Sequence, residues 1–140
     1  MITNERQYKI TRSQLEKLKA AMGNFNFEEA SKSVGSDVLA IAELQALQSE
    51  VDILEEQLDE YDQLQSGAIA TLEASSLDEL PGMLIRARIA QRLSQKELAD
   101  LMGMKEQQIQ RYESEEYSGA SLHKLREIAD ALKLTIKETA

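Results

Sequence analysis

Pro81 is the only proline in 140 residues, and there are six glycines. So few helix breakers leave long stretches in which the period of the apolar residues decides the fold. Apolar residues recur at helical spacings from Ile10 to Met22, Asp37 to Leu64 and Met83 to Leu132, the signature of helices with one buried face. Strand-type alternation occurs only in the tail, at Leu134–Thr135–Ile136–Lys137. The expected fold class is all-α, with a short C-terminal β-strand as an option for the tail. Pro81 and the small, turn-favouring residues around Ser75, Ser76 and Gly82 mark a linker. The organisation expected is an N-terminal helical region at 1–65, a linker at 66–81, a four- to five-helix domain at 82–134 and a tail at 135–140.

Composition removes several function classes. Without cysteine, disulfides, thiolate metal sites and cysteine nucleophiles are excluded. His123 is the single histidine, so a multi-histidine metal site is excluded as well. It reads as a surface residue. No cofactor is expected and no enzyme: there is no glycine-rich phosphate loop and no nucleophile–base set. No apolar run approaches the roughly 18 residues of a membrane span, and the start MITNERQYKI has no signal-peptide core. The expected location is therefore the cytoplasm.

The formal net charge of -9 argues at first against a nucleic-acid partner. It is unevenly spread, however. Residues 1–81 hold 6 basic and 16 acidic groups, residues 82–140 hold 10 and 9, and the two parts need separate readings.

In the N-terminal part, Leu15, Leu18 and Met22 form one stripe on a basic first helix carrying Arg6, Lys9, Arg12, Lys17 and Lys19. Its start is expected at Thr11 or Ser13, since Ser13 with Glu16 has the capping-box spacing. Residues 23–35 read as a connection with Phe25 and Phe27 as packing plugs. A longer helix follows, capped by Ser36 and stopped by Gly67. Along it Leu44, Leu47, Val51, Leu54, Leu58 and Tyr61 form a heptad seam. Between residues 36 and 65 there are nine acidic residues and no basic one. A parallel homodimeric coiled coil would set like charges against each other, Glu50 facing Glu55, so an antiparallel hairpin with the basic first helix is favoured. The acidic run is a solvated face or, at Asp59, Glu60 and Asp62, a docking surface for a basic partner.

The C-terminal part carries the sharper signals. Ser94 with Glu97 is a capping box, the helix continues through Leu98, Leu101 and Met102, and Gly103 ends it. A second short helix starts near Lys105, so two short helices meet at a glycine turn, the arrangement of a helix-turn-helix. Taking Ile109 as inward at ~100° per residue, Gln107 and Arg111 point the opposite way, with Gln110 and Ser114 beside them. Glutamine can bond adenine and arginine can bond guanine through paired contacts. Lys105 stands at the end nearest a phosphate or base edge, and Glu106 would meet cytosine or set register.

Residues 83–134 resemble the lambda-repressor-like, XRE-type helix-turn-helix family. The matching residues are Leu93, Ser94, Gln95, Glu97, Leu98, Ala99, Gly103, Ile109, Arg111 and Glu113, then Leu125, Ile128, Ala129, Ala131 and Leu132. The resemblance implies double-stranded DNA as partner, with Gln107, Arg111, Gln110 and Glu106 reading bases. Gln95 and Lys105, with Ser94 and Arg92, would hold the DNA backbone. It also implies an Arg88–Glu113 structural ion pair. This chain departs from the family at Arg92, where glycine is frequent, and in the loop ESEEYSGA (113–120), where Glu115 and Glu116 repel phosphate. Weaker, more salt-sensitive DNA binding is expected.

The leading functional expectation is a repressor bound to a palindromic operator as a homodimer, paired through the tail or the long helix. A helical extension before such a domain also resembles HigA-like antitoxins, which cover a basic toxin and repress their own operon. An interaction adaptor that does not touch DNA is the third reading.

Overall fold

The computed structural model describes residues 1–69 and 71–137. Contacts divide the chain into two compact units, Met1–Tyr61 and one beginning at Asp62.

In the first unit, helix α1 runs Glu5–Gly23. Its cap is Asn4, whose side-chain oxygen accepts from the Gln7 N–H at 2.9 Å, while Gln7 Oε1 accepts from the Thr3 N–H at 2.8 Å. The expected start at Thr11 or Ser13 is therefore too late: both lie inside the helix. Residues 5–10 contain no breaker, so the helix extends back until a side chain can accept the orphan amides.

Residues 23–35 do not form a simple connection. Helix α2 occupies Phe27–Val34, opened by Asn26, which accepts from the Glu29 N–H, and closed by left-handed Gly35 at φ 72°. Glu28 and Glu29 in its first turn face the positive end of the helix dipole. Phe25 is half-buried and Phe27 exposed, so Phe27 does not serve as a plug.

Helix α3 spans Asp37–Ser66, thirty residues, about 45 Å at 1.5 Å per residue. Ser36 Oγ accepts from the Leu39 N–H at 3.4 Å, and left-handed Gly67 follows its end. Within the first unit Val51 and Leu58 are buried, and Leu44, Leu47, Leu54 and Tyr61 are half-buried. Leu15, Leu18 and Met22 of α1 are half-buried too. Tyr8 meets Tyr61 with ring centroids 5.1 Å apart, whereas Lys19 pairs with the earlier Glu55. Later residues of α1 thus meet earlier residues of α3, and the two form an antiparallel hairpin. Exposed ion pairs contribute only about 0–1 kcal/mol, so the apolar seam sets the register.

The second unit contains a 3-10 turn at Leu77–Glu79 and helices α4 Leu80–Ala90, α5 Gln95–Met102, α6 Glu106–Ser114 and α7 Leu122–Ala131. Helix α4 begins inside the stretch read as linker, with Pro81 in its first turn. There the missing N–H removes no helical bond. Leu84, Ile85, Ile89, Leu98, Ile109, Ile128 and Leu132 form the core, each essentially inaccessible.

Several helices close with one left-handed residue followed by a backward bond. Leu93 N–H reaches Arg88 O at 3.1 Å, Met104 reaches Ala99 at 2.9 Å, and Leu134 reaches Ala129 at 3.0 Å. The left-handed residues are Arg92, Gly103 and Lys133, and the pattern satisfies carbonyls the helix end would otherwise orphan. The last closure explains a correction. No strand forms among the described residues, and Leu134–Lys137 is irregular. Leu134 spends its N–H on closing α7, and a β-ladder needs a second strand to pair with.

Candidate nucleic-acid interface

The site is assembled from the capping chemistry outward. Ser94 Oγ accepts from the Glu97 N–H at 3.1 Å, and Glu97 Oε2 accepts from the Ser94 N–H at 2.7 Å. These bonds hold the Glu97 carboxyl below its ordinary value of 4.5 and fix the first turn of α5. Left-handed Gly103, at φ 64°, turns the chain toward α6. Lys105 stands at the head of α6 with its N–H bonded to Gln108 Oε1 at 3.0 Å, its own side chain exposed.

Ile109 is fully buried and anchors α6. Glu106, Gln107, Gln110 and Arg111 are all exposed, and Gln110 Nε2 donates to Glu106 Oε1 at 3.2 Å. The helix therefore offers solvent a polar side of two glutamines, one glutamate and one arginine, headed by a lysine.

What holds that side in place lies beneath it. Arg88 and Glu113 are each 2% exposed and form a two-pronged pair, Nε to Oε1 at 2.6 Å and Nη2 to Oε2 at 2.8 Å. Arg88 Nη1 also donates to Leu93 O at 2.7 Å. Gln95 completes the cluster: it is 4% exposed, and its Nε2 donates to Glu113 Oε2 at 2.7 Å. One carboxylate on α6 thus receives donors from α4 and from the start of α5. Such satisfied, two-pronged contacts are what a buried charge requires.

The expected phosphate contact at Gln95 is not what the fold forms. The structure turns its side chain inward, because Glu113 has acceptor capacity beyond the two Arg88 nitrogens and is closed off from water. Arg92 differs as well. Its backbone is left-handed at φ 58°, as its place opposite a family glycine foreshadows, and its Nε donates to Gln65 O at 3.0 Å. It is a cation at the C-terminal end of α3, where the helix dipole favours one. Ser94, at the head of α5, and Lys105, at the head of α6, are both exposed. Asp59, Glu60 and Asp62 each have a partner within the chain. His123 is an exposed residue beside Glu127, at 3.2 Å.

Tyr117 was not singled out by the sequence. It is 3% exposed, and its ring stacks on Tyr112 with centroids 5.7 Å apart and planes 10° from parallel. Burial first, then the Glu113 carboxylate, pushes its phenol well above the ordinary value. The hydroxyl is buried without a hydrogen-bond partner. Glu116 and Tyr117 are both left-handed, φ 48° and 56°, each costing roughly 1–2 kcal/mol for a residue with a Cβ. The available signal was a lone aromatic in an otherwise polar, acidic loop.

A helix-turn-helix family model matches residues 84–138. The matched stretch covers α5, the Gly103 turn and α6 together with most of α4 and all of α7, so this C-terminal part of the all-helical chain carries a helix-turn-helix domain. No curated protein and no solved structure matches the chain. Among the described residues no helix is long and apolar enough to cross a membrane, and no group of three or more potential metal ligands occurs.

Proposed function

We propose that the protein is a cytoplasmic transcriptional repressor, associated with the nucleoid, that binds a palindromic operator as a homodimer. Gln107 and Arg111 read base edges in the major groove, assisted by Gln110 and Glu106. Lys105, Ser94 and the N-terminal amides of α5 hold phosphates. The observation that carries this reading is the exposed polar side of α6, set opposite fully buried Ile109 and anchored by the Arg88–Glu113 pair. A domain with 10 basic and 9 acidic groups over residues 82–140 neutralises few phosphates alone. Two copies spaced about 34 Å apart double the contact.

The test is selection of bound oligonucleotides followed by titration of the preferred site. Each good base pairing contributes about 1–3 kcal/mol of discrimination, so Gln107→Ala with Arg111→Ala abolishes preference for that site. Unchanged preference overturns the reading.

A second reading adds a toxin partner. The nine acidic residues between 36 and 65, with no basic one, favour a basic protein held by the hairpin at Asp59, Glu60 and Asp62. Charge reversal there weakens toxin capture and leaves operator binding intact. Loss of both together, or of neither, rejects it.

A further inference from the structure

Two pairs of side chains share the outer side of α6. With Ile109 inward at ~100° per residue, Gln107 and Arg111 lie about 40° apart on the far side, and Glu106 and Gln110 about 40° apart on one flank. All four are exposed. The flank pair is tied together, since Gln110 Nε2 donates to Glu106 Oε1 at 3.2 Å across one turn. Glu106 is the first residue of the helix, the end that meets base edges when a recognition helix enters the major groove. Gln110 stands a turn behind it.

An ionised carboxylate only accepts hydrogen bonds. With Oε1 engaged by Gln110, Oε2 is the oxygen left for a base. In the major groove the donors are the amino groups of cytosine N4 and adenine N6, while guanine O6 and N7 and thymine O4 are acceptors that repel a carboxylate. Adenine sets its N7 acceptor beside its amino group, so a carboxylate there gains one bond and meets one repulsion. Cytosine shows its amino group with no acceptor on the same base. We infer that Glu106 selects a cytosine in each half-site of the operator, and that Gln110 is the positioning residue that aims its carboxylate. This rests on the proposed operator binding and gives the two residues separate parts in it.

The test is selection from a random duplex library with the full-length protein, for the wild type, Glu106→Gln, Gln110→Ala and Gln110→Lys. Wild-type sites carry cytosine at one fixed position of the half-site, and thymine there weakens binding roughly tenfold. Glu106→Gln moves the preference at that position to adenine, which glutamine meets with a donor and an acceptor. Gln110→Ala lowers the discrimination there to roughly threefold and leaves every other position unchanged. Gln110→Lys, which returns a donor one turn after the glutamate, restores it. A second measurement leaves the protein untouched: N4-methylcytosine at that position replaces the amino hydrogen facing the groove and weakens wild-type binding as much as thymine does. Sites with no cytosine preference that Glu106→Gln alters, full affinity for N4-methylcytosine, or unchanged discrimination in Gln110→Ala overturns the inference while operator binding stands. A wild-type protein that selects no sequence at all overturns the operator reading, and this inference with it.

Discussion

Gln95→Ala separates two roles that the same residue could hold. In the structure its amide donates to a carboxylate closed off from water, at 2.7 Å. A hydrogen bond to a charged group contributes about 1.5–3 kcal/mol. Glu113 retains both Arg88 contacts in the variant, so the loss stays near the lower end, about 2 kcal/mol. For a unit of this size that lowers the midpoint of thermal unfolding by about 8–16 °C. The two units need not unfold together, so hydrogen exchange at the amides of α4 to α6 is the suitable measurement, with peptide amides of α1 as an internal control. DNA affinity, measured well below the new midpoint, changes little, and its salt dependence keeps its slope. A phosphate contact would behave in the opposite way: stability intact, affinity reduced and a shallower slope. That second pattern would refute the inward placement of Gln95.

Tyr117→Phe keeps the ring stacked on Tyr112 and removes a hydroxyl buried without a partner. It raises stability by about 1 kcal/mol in chemical denaturation, and a loss instead would reveal a partner for the hydroxyl. Arg92 is left-handed, so Arg92→Gly is more stable than Arg92→Ala by roughly 1–2 kcal/mol; equal stabilities would contradict that backbone. The Glu97 carboxyl is held below 4.5 by its bonds from Ser94. Its contribution is therefore fully present above the unfolded value and is lost as pH falls through the folded one. Exchange protection at the start of α5 drops in that acidic window in the wild type and not in Glu97→Gln, and identical profiles would exclude the carboxylate as the cause. On the proposed operator-binding role, Glu115→Lys with Glu116→Lys tightens DNA binding and steepens its salt dependence by titration, because two exposed charges reverse sign.

Much of the chain was legible because helix boundaries are local chemistry. Ser94 and Glu97, Gly103, and Ser36 with Gly67 act through residues only a few positions away. Where helix boundaries differ from expectation, local signals are still present. Asn4 with Gln7, and Asn26 with Glu29, repeat the cap spacing with asparagine as the cap, and Pro81 stands in the first turn of a helix within the expected linker. The antiparallel hairpin is legible from charge, since an apolar seam with only acidic flanks disfavours its own copy and a basic helix precedes it.

The amino-acid order determined the helices, their inward faces and the polar outer side of α6, because period and caps depend on neighbours within one or two turns. The fate of individual polar side chains was decided at longer range. Glu113 meets Arg88 across 25 positions and Gln95 across 18, and no period in the chain announces that Gln95 turns inward. Tyr117 is likewise buried by what surrounds its loop, and Leu134 is drawn from a strand-like pattern into closing α7. In each case the deciding quantity is which partner and how much water the folded chain leaves around the group, and that exists only once the helices have packed.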